Sequence, residues 1–349
     1  MLAQQIIQWQ KKHGRHNLPW QQDISAYRVW ISEIMLQQTQ VSTVIPYYQR
    51  FMQKFPDIKT LALSDEDTVI KYWAGLGYYQ RARNLHRCAK TVVEKYKAEL
   101  PIDADALILL PGIGRSTAHA ILSITHELPY AIMDGNVKRV LARYYAYSEP
   151  LTNVKALREM WQIAESNMPK TECRTYTQGI MDLGANICKR QPLCHDCPLV
   201  EKCQAHRLGI AADIPIKTKK KTKRIELKYF ICYLFKGMLW TIKRPVSGIW
   251  PSLWTPPIAD QKPSDTTHQL EAFRHTFTHI HMDIHTVVYK IDEQDELIAL
   301  RKKHANLSTE PGRWIDCEKI KSEAVPAAVV KCVSLIQSDH KAQSSSVSS

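Results

Sequence analysis

No stretch of this chain approaches the ~18 uncharged apolar residues that a membrane-spanning helix needs. The N-terminus, MLAQQIIQWQKKH, has no continuous apolar core of the kind an export signal carries. Neither a membrane nor secretion is therefore expected, and a reducing cytoplasm is. No segment repeats. Negative charge is in short supply: 34 acidic residues stand against 47 Lys and Arg, leaving a net +13 and a pI near 9.2. That balance favours a polyanionic partner, nucleic acid or an acidic membrane surface. Cysteine is odd in number, nine in all, and four of the nine fall within residues 188–203. Without an export signal, such a cluster points to metal ligation and not to a disulfide framework.

What is present reads as two differently built halves. A length of 349 residues exceeds one typical domain. Residues 1–206 carry apolar positions at helical spacing, for example 30, 31, 34, 35, 41, 44 and 45, with Pro46 expected to interrupt the run. Ser64 with Asp67 has the spacing of a capping box before VIKYWAGL. Residues 213–226, DIPIKTKKKTKRIE, hold six basic residues and few large apolar ones. They read as a linker, either a solvated tether or an arm that touches phosphates. Beyond it Tyr229–Phe235 and Met238–Lys243 suit a hairpin turning at Gly237, 273–291 alternates, and 294–304 suits a short helix, so the second half is mixed α and β. The tail KAQSSSVSS is polar and expected to be disordered.

Three local patterns carry chemistry. Cys188, Cys194, Cys197 and Cys203 form C-x5-C-x2-C-x5-C. Four thiolates so close can enclose a cubane iron–sulfur cluster or a tetrahedral zinc, and the wide outer gaps favour the larger object. Leu110-Pro111-Gly112-Ile113-Gly114 separates two helical patterns. Its glycines permit close backbone approach, and the following helix aims its N–H groups and positive dipole end at the turn, where a DNA phosphate fits. An ordinary tight turn is the alternative. Third, Glu33 lies in the apolar run WISEIMLQQT, sharing a helical face with Val29 and Leu36. Apolar surroundings raise a carboxyl pKa and would keep a proton for general-acid work; an exposed Glu on a helix edge is the plainer reading. Asp134 and Asn136 in AIMDGNVKRVL could simply cap a helix. Taken with Glu33, however, they offer the neutral acid and ionised carboxylate that glycosidic cleavage requires.

WISEIMLQQTQVSTVIPYY, GLGYYQRARNL, LPGIGRSTA, MDGNVKRVLAR and MDLGANIC with the cysteines after it resemble the adenine DNA glycosylases of the MutY type, in the helix-hairpin-helix superfamily that includes endonuclease III. PVSGIWPSLWTPP and FRHTFTHIHMD resemble that family's Nudix-like recognition domain. The resemblance implies a multidomain chain: an all-α helix-hairpin-helix glycosylase over 1–206 with a [4Fe-4S] cluster loop at 188–203, a basic linker at 207–226, a smaller α/β Nudix-like domain at 227–340 and a disordered tail at 341–349. It implies base excision repair, with adenine opposite 8-oxoguanine or guanine flipped from duplex DNA. Glu33 would protonate the adenine, Asp134 would stabilise the sugar cation and Asn136 would assist. Gln37, Gln38 and Tyr78 would enter the base stack, although Tyr78 could equally be core packing. Pro111, Gly112, Gly114, Arg115 and Ser116 would hold the backbone, and Phe277, Thr278 and His279 would read the oxidised base.

Relatives that also cut the strand carry a Lys where Ser116 stands, so a monofunctional enzyme is expected. The first cysteine gap is one residue shorter than the family's usual six, and Thr278 replaces a usual Ser while keeping its hydroxyl. Four histidines, 275, 279, 281 and 285, are expected at the surface or facing DNA. The hydrolase box of true Nudix enzymes is missing, so the C-terminal domain is expected to bind without hydrolysing. A monomer is expected, nucleoid-associated if bacterial. The rivals are an endonuclease III-like glycosylase and lyase for oxidised pyrimidines, a non-catalytic DNA-binding clamp, and a Nudix hydrolase with a helical appendage.

Overall fold

A computed structural model describes residues 1–216, 222–266, 268–304 and 311–346. The chain separates into two units, Met1–Ser64 with Gln80–Lys220, and Asp65–Tyr79 with Lys221–Ser349.

The first unit is helical. Along the chain come α1 (Leu2–His13), α2 (Pro19–Gln22), α3 (Ala26–Leu36), α4 (Val41–Lys54) and α5 (Ile58–Leu63). Helix α6 (Glu66–Trp73) belongs to the second unit. Then follow α7 (Gln80–Tyr96), α8 (Ala104–Ile108), α9 (Arg115–His126), α10 (Gly135–Tyr144), α11 (Val154–Ser166), α12 (Cys173–Asn186) and α13 (Gln204–Arg207). Short polar side chains start many of them. Ser25, Asp57, Asp103, Asp134 and Asn153 each accept from a backbone N–H in the first turn of the helix that follows, an arrangement worth about 1 kcal/mol apiece. Helix α3 is apolar on nearly every side, with Val29, Trp30, Ile31, Ile34 and Met35 all buried, so it is the central helix of the unit. It packs on α9, and α12 packs on α1, α9 and α10. Buried Asp182 of α12 takes two hydrogen bonds from Arg15, one from the backbone at 2.8 Å and one from Nε at 2.7 Å, fixing the chain just after α1.

The second unit holds a seven-stranded sheet. Its strands are β1 (Arg224–Phe235), β2 (Met238–Lys243), β3 (Trp254–Thr255), β4 (Ile258–Ala259), β5 (Phe273–Thr276), β6 (Ile280–Lys290) and β7 (Gly312–Asp316). The main order is β3-β2-β1-β6-β5, with β4 on β1 and β7 on β2. The long central pair β1 and β6 is parallel, Arg224 opposite Ile280 through Leu234 opposite Lys290. Lys236 and Gly237 both take positive φ, the two-residue turn whose twist matches a hairpin. Helix α14 (Gln294–Lys303) places Leu297 against Ile231, Tyr233, Val287 and Tyr289 of the sheet.

Four sequence expectations change. The helical run at 27–48 breaks at Gln37–Gln40 and not at Pro46, which lies inside α4, where the missing N–H removes one bond of a fourteen-residue helix. Asp65, not Ser64, caps α6; Ser64 instead donates to Thr60 O at 2.8 Å. The stretch 207–216 is no free tether: Ala211 and Ile214 are buried, and Arg143 Nε donates to Ile214 O at 2.9 Å. Residues 217–221 of the linker lie outside the described residues. Finally, α15 (Ala327–Ser346) runs through 341–346 of the expected disordered tail, since extending a formed helix needs no new nucleus; 347–349 lie outside the described residues. No helix among the described residues is long and apolar enough to cross a membrane.

Candidate active site

Two carboxylates come together in the first unit. Glu33 rides on α3, and Asp134 is the N-cap of α10, which follows the segment leading out of α9. Glu33 is half-buried. Its surroundings push its pKa up to about 7, burial being the larger cause and the negative charge of Asp134 the smaller. Asp134 is also raised by burial, but here hydrogen bonds oppose it. Val137 N–H donates to Oδ1 at 2.7 Å, Asn136 Nδ2 donates to Oδ2 at 3.1 Å, and Arg139 adds positive charge. No such donor meets Glu33 among the described residues. Both carboxyls are raised by burial, but donors favour the charged form at Asp134 alone. The N–H that Asp134 caps, from Val137, is among the donors that favour its charged form against burial.

The Leu110–Gly114 turn joins α8 to α9. Leu110 and Ile113 are buried and anchor it, leaving Gly112 and Gly114 at the surface. Gly112 has φ +80, and a Cβ there would stand 2.6 Å from Cβ of Asn84. Gly114 opens α9 with no side chain over its N–H groups. Pro111 and Ser116 are half-buried. Ser116 Oγ accepts from Met133 N at 3.0 Å and so ties the start of α9 to the residue before Asp134. Arg115 turns elsewhere, to an ion pair with Glu165 and to the face of Trp161, 4.0 Å from its centroid.

Sequence reasoning missed Arg81. Its Nη1 donates to the carbonyls of Ile34, Met35 and Gln37 at 2.7, 2.9 and 2.6 Å, and its Nη2 donates to Thr39 Oγ1 at 3.2 Å. These are the carbonyls left open where α3 ends. The turn they belong to carries Gln37 and the exposed, left-handed Gln38 at φ 57. Trp30, Ile34, Gln37, Arg81, Asn84, Leu85, Pro111 and Gly112 line one small cavity, which places this turn beside the glycine hairpin. Tyr78, in the second unit, also has positive φ and is 48% exposed, which removes the core-packing alternative.

The four clustered cysteines line one cavity with Leu183, Ile187, Leu199 and Val200 among its apolar walls. Among the described residues no three His, Cys, Asp or Glu side chains converge on a position for one metal ion. Arg143 Nη1 donates to Cys188 Sγ at 3.3 Å as well as to Lys189 O at 2.6 Å, so a cation already faces the sulfurs. Arg139 Nε donates to Cys188 O at 2.6 Å while its Nη2 reaches Asn136 Oδ1 at 2.9 Å, joining this loop to the cap of α10.

In the second unit Phe277, Thr278 and His279 form the turn between β5 and β6. The Phe277 ring lies 5.4 Å from Trp250 and 4.7 Å from His275, while Thr278 and His279 are exposed, their Oγ1 and Nδ1 3.5 Å apart. Of the other two histidines, His281 is hydrogen-bonded to Thr276 and His285 stacks on Tyr229.

Residues 31–166 match the family model described as HhH-GPD superfamily base excision DNA repair protein, and residues 229–335 match a NUDIX domain. The chain is 35% identical over 351 residues to the adenine DNA glycosylase of Buchnera aphidicola subsp. Schizaphis graminum, covering 97% of this chain and 99% of that protein. It is 30% identical over 410 residues to the adenine DNA glycosylase of Homo sapiens, covering 95% and 73%. Among solved structures, a thermostable thymine-DNA glycosylase superposes with a TM-score of 0.54 at 28% identity, covering 59% of this chain and 95% of that one. A non-covalent endonuclease III–DNA complex gives 0.51 at 22% identity over 60% and 95%, a likeness of fold.

Proposed function

The chain belongs to the adenine DNA glycosylases, enzymes of base excision repair with a helix-hairpin-helix unit and a Nudix-like unit, and from that premise we propose that Glu33 and Asp134 divide the excision of adenine between them. The duplex first yields its adenine to the site, an extrusion that costs a few kcal/mol and least at a mispair. Glu33 then gives its proton to N7 of the purine. The C1′–N9 bond breaks, its electron pair leaves with the now neutral adenine, and the sugar carries the positive charge. Asp134, whose charged form Val137 and Asn136 favour, faces that charge. Water adds to C1′ and returns its proton to Glu33. The observation that carries this reading is the pKa of about 7 at Glu33 beside a hydrogen-bonded Asp134.

The target base is adenine opposite 8-oxoguanine or guanine. Gln37, Gln38 and Tyr78 enter the stack where it departs. The hairpin Pro111–Gly114 and the first turn of α9 at Ser116 grip the phosphates, and Arg115 reinforces the hairpin through Trp161 and Glu165 in place of a direct contact. Phe277, Thr278 and His279 read the oxidised partner. Ser116 has no amine to form a Schiff base with the sugar, so the strand stays intact.

Cys188, Cys194, Cys197 and Cys203 would hold a [4Fe-4S] cluster, because four sulfurs line one largely apolar cavity and their wide outer spacings suit a larger group than zinc. When bound it would supply four iron–thiolate bonds that close the 188–203 loop on Arg143.

The test is a duplex carrying adenine opposite 8-oxoguanine, incubated with enzyme and split with and without hot alkali. Strand breaks after alkali alone are expected. Breaks without alkali would favour a lyase, and none in either sample would favour a clamp. Glu33→Gln is expected to abolish product with duplex binding retained.

A further inference from the structure

Arg81 has no part in the chemistry described above, yet its guanidinium donates four hydrogen bonds to the end of α3 and the turn after it. One guanidinium nitrogen faces three carbonyls, of Ile34, Met35 and Gln37, and the other faces the hydroxyl of Thr39. Two separate nitrogens serve the carbonyls and the hydroxyl, and the single nitrogen of a lysine, on a side chain without that fork, cannot meet both sets at once. The positive charge also meets the negative end of the α3 dipole. What is held is a conformation most residues avoid. Gln38 takes φ 57, an unfavourable state for a residue with a Cβ unless its neighbours enforce it. Thr39 adds a second brace, with Oγ1 donating to Gln37 O at 3.3 Å and Thr39 N–H donating to Leu36 O at 3.2 Å.

The same face of α7 serves the hairpin. Asn84 lies three residues after Arg81, one position along that face. Its side chain is fixed from both sides, Oδ1 accepting from Gln80 Nε2 at 2.8 Å and from Arg87 Nη2 at 2.6 Å. Gly112 sits against it so closely that a methyl group would overlap. Arg81 and Asn84 therefore set, from one rigid helix, the spacing between the glutamine turn and the glycine hairpin. Both line the cavity that separates the two loops.

We propose that Arg81 is a positioning residue that locks the Gln37–Thr39 turn in its left-handed form, at a fixed distance from the hairpin, so that the turn can fill the base stack as adenine leaves. The proposal rests on the reading of Gln37 and Gln38 as stack-entering residues. It makes Arg81 a determinant of extrusion and leaves proton transfer from Glu33 untouched. A residue that merely supported the fold would lower every activity alike.

Arg81→Lys keeps the charge and loses the fork. Single-turnover excision at saturating enzyme is measured on two duplexes, adenine opposite 8-oxoguanine and adenine opposite an abasic site, where no partner base resists extrusion. Loop misplacement of about 1 Å is worth about 10²-fold, so a loss of that order is expected on the first duplex and a loss of a few-fold on the second. In a Glu33→Gln background, 2-aminopurine beside the target adenine reports unstacking without cleavage; its fluorescence rise is expected with Arg81 and is expected to be largely lost with Lys. An unchanged rate, or an equal loss on both duplexes with a normal fluorescence rise, overturns the proposal. Thr39→Val removes only the Nη2 contact and is expected to show the same selective loss on a smaller scale. If Arg81→Lys does not fold, Thr39→Val decides, and equal loss or no loss there is fatal. Absence of excision by the unaltered enzyme would instead fall on the assignment of adenine as target, and the fluorescence measurement would still judge Arg81.

Discussion

Removing the proton-holding acid should make the enzyme inactive and, above neutrality, more stable. The carboxyl of Glu33 is shifted from 4.5 to about 7. At an ordinary value roughly 0.3% of the enzyme would carry that proton at pH 7; with the shift about half does, a gain of about 10²-fold in competent molecules. The same shift has a thermodynamic consequence. Below about pH 4.5 the side chain is protonated whether the chain is folded or not, and no penalty exists. As pH rises from there to about 7, the unfolded chain ionises while the folded one holds its proton, so stability falls. Above about 7 the loss is complete, at about 3 kcal/mol. Glu33→Gln imitates the protonated acid and does not titrate. Chemical denaturation at pH 8.5 should find the variant more stable by an amount approaching about 3 kcal/mol, and at pH 5 by less than about 1 kcal/mol.

The single-turnover rate of the unaltered enzyme should fall roughly tenfold for each pH unit above about 7. Part of the shift comes from the charge of Asp134. Asp134→Asn should therefore move the residual activity's descending limb to lower pH, besides reducing the rate by about 10²–10³-fold. A rate flat from pH 6 to 9, or a stability difference between Glu33 and Gln that ignores pH, would refute the reasoning at its base.

Ser116→Lys places an amine at the start of α9 and should produce alkali-independent strand breaks, read on a denaturing gel; losing the hydroxyl that receives Met133 N–H should also lower stability by about 1 kcal/mol. Gly112→Ala meets both a positive φ and Asn84 Cβ at 2.6 Å, so it should weaken duplex binding by about tenfold or more, measured by fluorescence anisotropy, with a loss of about 1–3 kcal/mol in stability. Cys197→Ser should abolish the visible absorbance expected of an iron–sulfur cluster and lower the melting temperature of the unit holding α10; retention of full absorbance would exclude Cys197 as a ligand.

Much of this site can be read from residue types because its chemistry is unusual for its local setting. A carboxylate inside the apolar helix Val29–Met35 conflicts with packing, and that conflict marks Glu33. Asp134 carries a local signature too, since an acid before Gly-Asn and a basic helix fits a cap, and the capped N–H favours its charged form. Clustered cysteines and a Pro-Gly-x-Gly turn likewise announce themselves by composition. Arg81 has no comparable mark. Its acceptors are backbone carbonyls 44 to 47 residues away, and every residue owns an identical one. Which carbonyls lie open depends on where α3 stops, and helical periodicity carries straight through that point from Trp30 to Ile45. The cap of α6 is ambiguous for a related reason: Ser64 and Asp65 are both good capping residues, and a shift of one position lies below what side-chain type can resolve. Domain limits fail differently. The stretch 207–216 reads as part of a tether because the basic run at 217–224 follows it, but Ile214 is held by a donor from Arg143, seventy-one residues earlier. The same arginine faces the sulfur of Cys188, so the end of the first unit and the cysteine loop are fastened by one side chain. Residue type thus points to the groups proposed for the chemistry, whereas the arginines that fasten the neighbouring segments become visible once helix ends and loop carbonyls are located in space.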